Sequence, residues 1–307
     1  MQPNILVTGG AGFVGSHLVD ALINQDYNLR VLDNFSTGQW ENLTHNNDKL
    51  EIIKGDVRDL ESVMAAIKNV KWIFHQAGFV SAPLSIKQPQ ISFENNLLGT
   101  FNIFEAVRRQ GSLARIIFAS SAAVYGDNHS LPLHENLPCF PLNPYAFEKN
   151  AAEQLAVLYE RLYKVSSVAL RYFNIYGPRQ SASSPYSGVI SKFIDQLKKG
   201  EKLTIYGDGE QTRDFVYIND VISANLEAMK KVPPGAHLFN VATGKSVTIN
   251  QLVKSLQKIL KTVMAPQYQS SREGDIYRSL ADISKISEQL GWYPKWDLAQ
   301  GLSDWLR

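Results

Sequence analysis

Two hydrophobic periods alternate along the first half of the chain. Short apolar and β-branched runs, "NILVTG", "NLRVLDN", "LEIIKGD", "VKWIFHQAG", "ARIIFASS" and "SSVALRYFN", read as buried strands. Between them "GSHLVDALINQ", "LESVMAAIKN", "NNLLGTFNIFEAVRRQ" and "AFEKNAAEQLAVLYERLY" place apolar residues at helical spacing. Strand and helix in turn predict an α/β chain: a doubly wound parallel sheet with helices on both faces. Past "NIYGPRQ" the alternation loosens. Residues 178 to 188, rich in Ser, Pro and Gln, read as a loop, and helix "GVISKFIDQLKKG", strand "LTIYGDG" and helix "INDVISANLEAMKKV" follow in less regular order. The expected division is a sheet domain over residues 1–177, with roughly 214–242 returning to it, and a smaller C-terminal domain over 178–307. There are no internal repeats or low-complexity tracts.

The chain has 307 residues, enough for a full core with an appended second region. Lys and Arg number 31 against 29 acids, a net charge of +2, with no basic tail and no run of like charges. Nucleic acid and membrane surfaces are therefore not expected as partners, and small molecules are. A single cysteine, Cys139, excludes an internal disulfide framework, and no Cys/His cluster has zinc-like spacing, so no metal is expected. A reducing, cytoplasmic setting fits. The N-terminal "MQPNILVTGGAGFVG" has no basic leader and its apolar run is broken by glycines, so it does not read as a signal peptide. No apolar segment reaches the length of a membrane span.

The first chemistry-bearing motif is "VTGGAGFVG". Gly9, Gly12 and Gly15 recur at three-residue intervals directly after a strand and open a helix. Gly9 can make the tight turn, Gly12 lets backbone approach a pyrophosphate, and Gly15 lets helix pack on strand; Phe13 and Val14 lie between the last two. Asp33 ends the second strand about 20 residues past the loop, where a carboxylate accepts hydrogen bonds from an adenosine ribose and repels a 2′-phosphate. A Rossmann-type domain binding NAD rather than NADP is expected. Arg30, just before that strand, is expected to point away from the phosphate position.

In "NPYAFEKN" a tyrosine stands four residues before a lysine. On a helix Tyr145 and Lys149 share one face a turn apart, so an ammonium can lie near the phenol. Taken alone, the same spacing also describes a solvated helix surface.

Together the glycines, "SSAAVYG", "NPYAFEK" and "RYFNIYGPRQ" resemble the extended short-chain dehydrogenase/reductase family of nucleotide-sugar enzymes. The resemblance runs from "NILVTGG" to "REGDIYRSLADISK", nearly the whole chain. It implies a catalytic set of Ser121, with Ser120 as its less favoured neighbour, Tyr145 and Lys149. In that set Tyr145 as phenolate takes the proton of a sugar hydroxyl while hydride leaves for the nicotinamide, and Ser121 bonds the same oxygen. Lys149, together with the positive nicotinamide ring, lowers the tyrosine pKa and bonds the nicotinamide ribose. The resemblance also implies a cofactor pocket from Asn34, Ser36 and Gly38, from Asp56 and Val57, from Gln76, Ala77 and Gly78, and from Asn96, Ala119 and Tyr172. Many relatives carry alanine at Gly78. His75 is expected to be a packed strand-end histidine and not a base.

Relatives that dehydrate a sugar carry acids where this chain has Ala122 and Ala123. Dehydration and uronic-acid decarboxylation are disfavoured by that lack, and reversible 4-epimerisation of a UDP-hexose through a 4-keto intermediate, with NAD kept bound, is expected. Arg213 and Arg272 match the family's diphosphate clamps. Asn174, Val189, Tyr206 and Asp275 extend the substrate pocket, while Tyr217 and Asp220 look structural. Ser279 stands where a tyrosine restricts some epimerases to plain hexoses, so UDP-N-acetylglucosamine and UDP-N-acetylgalactosamine are expected substrates alongside UDP-glucose and UDP-galactose. Another nucleotide-sugar converter, such as a decarboxylase or a TDP-, CDP- or GDP-sugar epimerase, stays open, as does a non-catalytic NAD-binding regulator. Helices near 93–109 and 147–163 are expected to form a four-helix homodimer interface.

Overall fold

The computed structural model describes residues 4–43, 48–111, 114–181, 188–271 and 274–307. The first half runs β1 (Ile5–Thr8), α1 (Phe13–Ile23), β2 (Leu29–Asp33), β3 (Leu50–Lys54), α2 (Leu60–Ala66), β4 (Trp72–His75), α3 (Ala82–Lys87), α4 (Pro89–Phe93), α5 (Gly99–Gln110), β5 (Arg115–Ser121), α6 (Pro144–Tyr163) and β6 (Ser167–Tyr172). The remainder runs β7 (Asn174–Tyr176), α7 (Val189–Lys198), β8 (Thr204–Tyr206), β9 (Thr212–Arg213), β10 (Phe215–Tyr217), α8 (Ile218–Lys231), β11 (Ala236–Val241), β12 (Val247–Thr248), α9 (Ile249–Leu260), β13 (Gln267–Gln269), α10 (Ser284–Leu290) and α11 (Leu298–Trp305).

Among the described residues, seven strands form one sheet in the order β11-β6-β5-β4-β1-β2-β3, every pair parallel. Side chains alternate across it because a strand has period two. Ile5 and Val7 join Leu18, Val19 and Leu22 of α1 and Val221 of α8, whereas Leu6 joins Val63 of α2, Ile103 and Phe104 of α5 and Ala152 of α6. Both faces are therefore covered, which is why the strands read as continuous apolar runs. The order turns back between β1 and β4, so the crevice beyond their carboxyl ends is the ligand position of such a sheet.

The other strands pair in twos: β7 with β10, β9 with β12, and β8 with β13. Residues of α7 and α9 join the core cluster that includes β1 and α1, and Leu133 bridges to Ala281 to tie the post-β5 segment to the C-terminal region. Three boundaries differ from the pattern. β11 lies within the stretch expected to return to the sheet domain, but as the sheet edge its apolar run is interrupted by His237 and Asn240, so it does not read as a strand. "LTIYGDG" yields only Thr204–Tyr206, since Gly207 and Gly209 take φ of +81° and +78° and turn the chain. α6 begins at Pro144, earlier than its apolar period, because the Asn143 side chain accepts from Ala146 N–H at 3.0 Å and proline suits the first helical position. No helix among the described residues is long and apolar enough to cross a membrane.

Candidate active site

The turn from β1 to α1 is built for close approach. Gly9 has φ of +68°, and a Cβ there would lie 2.6 Å from Ala77 N, so the end of β4 passes directly against the loop. A Cβ on Gly15 would lie 2.0 Å from Gly9 O, and one on Gly38 2.7 Å from Ala11 Cβ. Gly12 caps α1 without a side-chain hydrogen bond, and the first turn, opened by half-buried Phe13 and Val14, carries no acid. Its leading N–H groups thus face the crevice unneutralised, as an anion requires. Asp33 is buried, and its carboxylate accepts from Ala11 N–H and Phe35 N–H at 2.8 Å each, which clamps the loop to the end of β2. Asn34 donates to Asp56 at 2.9 Å and accepts from Ser36 N–H at 3.0 Å. The Arg58 hydrogen bond is the main cause holding the Asp56 carboxyl down to about 2. Val57 is buried next to it, against Gly99. A cradle too tight for side chains, an open helix N-terminus and an acid ending β2 fit a dinucleotide. Arg30 is the second residue of β2, not its prelude, and is spent on Glu51 and on the carbonyls of Ala66 and Lys68.

The candidate catalytic side chains gather at the carboxyl end of β5. Ser120 and Ser121 alternate across the strand: Ser120 is buried and donates to Glu153, whereas Ser121 hydrogen-bonds toward Tyr145 and caps the turn at Ala123 N–H, 3.2 Å away. That alternation makes Ser121 the serine at the phenol. Tyr145 and Lys149 are both buried on one face of α6, with the Lys149 nitrogen 5.8 Å from the tyrosine ring centre. Lys149 donates to Ala119 O at 2.8 Å, and burial pulls its pKa down to about 8. Burial dominates and pushes the Tyr145 phenol above its ordinary value, with Ser121 pulling it down and Glu148 adding to the rise.

Around this centre Asn96, on a π-helical turn over Glu94–Leu98, accepts from Phe79 N–H at 2.8 Å and so supports the turn after β4. A Cβ on Gly78 would meet Asn96 Oδ1 at 2.9 Å, which shows how closely the asparagine lies against that turn. Gln76 reaches the Tyr172 hydroxyl at 3.3 Å, and Asn225 holds the same hydroxyl at 2.9 Å; burial pushes the Tyr172 phenol up to about 12. His75 lies between Thr8 and Thr100 hydroxyls at 2.7 and 3.0 Å, and burial keeps it neutral with a pKa of about 3.

On the substrate side Asn174 is exposed at the start of β7, Val189 opens α7, and Tyr206 ends β8. The Arg213 guanidinium donates to Thr212 O at 2.8 Å, with burial lowering its pKa and the Asp275 carboxylate opposing. Ser279 is buried, and its N–H meets Thr212 Oγ1 at 3.4 Å, which sets it beside Arg213. Arg272 lies outside the described residues. Tyr217 donates to Asp304 at 2.6 Å and Asp220 accepts from Lys295 and Trp296 N–H groups, so both brace the C-terminal segment. Sequence reasoning missed Glu148 and the Glu153–Arg171 pair. Buried positions on α6 run 145, 146, 148, 149, 152, 153, 156 and 159, a helical stripe in which the acids Glu148 and Glu153 could have been noticed.

The sequence profile of the NAD dependent epimerase/dehydratase family matches residues 5–242. A UDP-glucose 4-epimerase of Mycolicibacterium smegmatis is 35% identical, covering 97% of this chain and 96% of its own. A UDP-N-acetylglucosamine 4-epimerase from Methanobrevibacter ruminantium, solved in complex with UDP-N-acetylmuramic acid, superposes with a TM-score of 0.93 at 39% identity, covering 100% of this chain and 97% of that one. The UDP-glucose 4-epimerase of Thermus thermophilus, in complex with NAD, gives a TM-score of 0.89 at 34% identity, covering 97% and 96%. The glycine cradle, the parallel sheet and these matches along the whole chain lead to one conclusion: this chain belongs to the NAD dependent epimerase/dehydratase family.

Proposed function

We propose that the protein is an NAD-dependent UDP-sugar 4-epimerase that interconverts UDP-hexoses. The observation that carries this reading is the grouping of Ser121, Tyr145 and Lys149 beside the glycine cradle, followed by Ala122 and Ala123 where an elimination would need acids. Bound NAD supplies the acceptor and donor for the hydride that leaves and rejoins C4. Tyr145 would exchange the proton at the C4 oxygen and Ser121 would hold that oxygen. Lys149 would fix the phenol's surroundings and the nicotinamide ribose. Gly9, Gly12, Gly15, Gly38 and Asp33 would hold the pyrophosphate and adenosine, and Asn174, Arg213, Arg272 and Asp275 the UDP moiety. Relatives whose names specify UDP-glucose and UDP-N-acetylglucosamine epimerases support the UDP-sugar class.

N-acetyl acceptance is the finer part of this proposal. Ser279 is small and lies beside Arg213 through Thr212, so a tyrosine in its place would take up the volume an N-acetyl group needs. Kinetics of Ser279→Tyr on both sugar pairs tests this; unchanged N-acetyl turnover counts against it. The division into an NAD-binding 1–177 with 214–242 and a substrate region over 178–307 is part of the same reading. So is a homodimer: α5 and α6 leave Phe101, Phe147, Leu158, Leu162 and Tyr163 exposed, an apolar face that pairing would cover. Light scattering after gel filtration that gives a monomer at micromolar concentration would refute the dimer.

Proton NMR of the purified protein with UDP-N-acetylglucosamine and no added NAD, following the anomeric and H4 signals, tests the activity. Appearance of the galacto epimer alone supports it. No change with that sugar or with UDP-glucose would overturn it.

A further inference from the structure

α6 carries a buried carboxylate that the reacting set does not use. Glu148 is 2% exposed and lies between Tyr145 and Lys149 on the same helix. Its Oε2 accepts from Ser92 Oγ at 2.6 Å and from Asn96 Nδ2 at 2.7 Å. Asn96 in turn takes Phe79 N–H at 2.8 Å and reaches Phe79 O at 3.2 Å. The residue before Phe79 is Gly78, where a Cβ would lie 2.9 Å from Asn96 Oδ1 and 3.6 Å from Lys149 Nζ. One carboxylate therefore ties together the reacting helix, the π turn and the strand-end turn that passes the cofactor cradle.

The charge has a second effect. A buried ammonium and a buried carboxylate are each costly alone and support each other when close. Glu148 is the strongest influence keeping Lys149 charged against its burial, followed by Glu153 on the same helix, and Glu148 also raises the Tyr145 phenol. From the neighbouring elements Lys149 meets neutral His75 of β4 and the Ala119 carbonyl of β5, while Glu148 meets the uncharged Ser92 and Asn96.

We propose that Glu148 is a positioning residue for the reaction, which holds Asn96 and the Phe79 turn in register with Tyr145 and sets a buried carboxylate on the turn of α6 that carries Lys149. This rests on Tyr145 and Lys149 being the reacting pair, and two readouts separate the claims. The first is the titration of Lys149 by NMR of nitrogen-labelled lysine, assigned with Lys149→Met, which needs no turnover. In Glu148→Gln the carboxylate charge is gone, so Lys149 loses its proton at lower pH, by about half a unit to one unit. The second is turnover of the UDP-hexose pair. Glu148→Gln lowers kcat about tenfold with KM within about twofold, and both limbs of the kcat/KM profile move toward acid, because the phenol and the ammonium lose the same negative neighbour. Glu148→Asp keeps the charge, so its limbs and the Lys149 titration stay in place, with kcat between parent and Gln variant.

A Lys149 titration unmoved in Glu148→Gln, or displaced in Glu148→Asp, overturns the proposal. If Glu148→Gln does not fold, Glu148→Asp decides: parental kcat overturns the positioning role, and lowered kcat on unmoved limbs upholds it. A Tyr145→Phe variant that stays active removes the reacting-pair reading and this inference with it. An inactive Tyr145→Phe beside a parental Glu148→Gln removes this inference alone.

Discussion

Replacing Glu153 by glutamine removes one buried charge with almost no change of volume, and the surroundings define the cost. The side chains of Glu153 and Arg171 are 6% and 3% exposed. The pair is bidentate, with Nε to Oε1 at 2.9 Å and Nη2 to Oε2 at 2.6 Å, and Ser120 Oγ donates to Oε1 as well. Arg171 also lies 4.6 Å from the Tyr125 ring centre and reaches Cys139 Sγ at 3.3 Å. In Glu153→Gln the amide NH₂ faces a guanidinium N–H at either position, and the arginine keeps its charge with its side chain 3% exposed. Breaking a buried pair from one side costs about 3–5 kcal/mol. The oxygen that glutamine retains puts this case near the lower end, about 3 kcal/mol, and at about 2 °C per kcal/mol for a chain of this size Tm falls by about 6 °C. Circular dichroism melts at neutral pH check the value, and added salt should leave the difference unchanged because screening acts little on buried charges. Glu153→Gln combined with Arg171→Met removes the stranded cation and recovers stability relative to the sum of the single changes. A Glu153→Gln melt within about 1 °C of the parent, or a double variant as unstable as that sum, would refute the reasoning.

Further outcomes follow from the site. Tyr145→Phe should lower kcat by about 10²–10⁴ while Tm stays near the parent, checked by the NMR turnover assay beside a melt. Gly15→Ala should purify without NAD, since the added Cβ would lie 2.0 Å from Gly9 O; absorbance of nucleotide released on denaturation measures it, and parental NAD content would sink the cradle reading. Asp56 and Glu105 are both held down to about 2 by arginine hydrogen bonds, against ordinary values of 3.8 and 4.5. Their folded pKa values are depressed, so the stability they contribute is full above about pH 4.5 and is lost as pH falls toward about 2. Melts through that window should steepen downward, and Asp56→Asn with Glu105→Gln should flatten the slope.

The sequence alone was sufficient for six of the seven strands of the sheet and for the glycine loop. Strands buried on both faces must be apolar throughout, and a backbone that comes within 2.0 to 2.6 Å of where a Cβ would stand admits only glycine, so both leave local marks. The same holds for the start of α6, where Asn143 and Pro144 cap and open the helix that carries Tyr145 and Lys149. The resemblance already favoured Ser121 over Ser120, and the tertiary structure supplies the physical reason: the strand turns Ser120 to Glu153 and Ser121 to Tyr145. It also sets how deeply Tyr145 is buried: spacing gives the proximity of Lys149, but the burial that pushes the phenol up is the sum of everything packed around the ring and is written in no single motif. Glu148 shows the limit most plainly. Its neighbours Ser92 and Asn96 lie 56 and 52 residues away in sequence, and only the fold that brings α4 and its π turn against α6 makes a buried acid into part of the site.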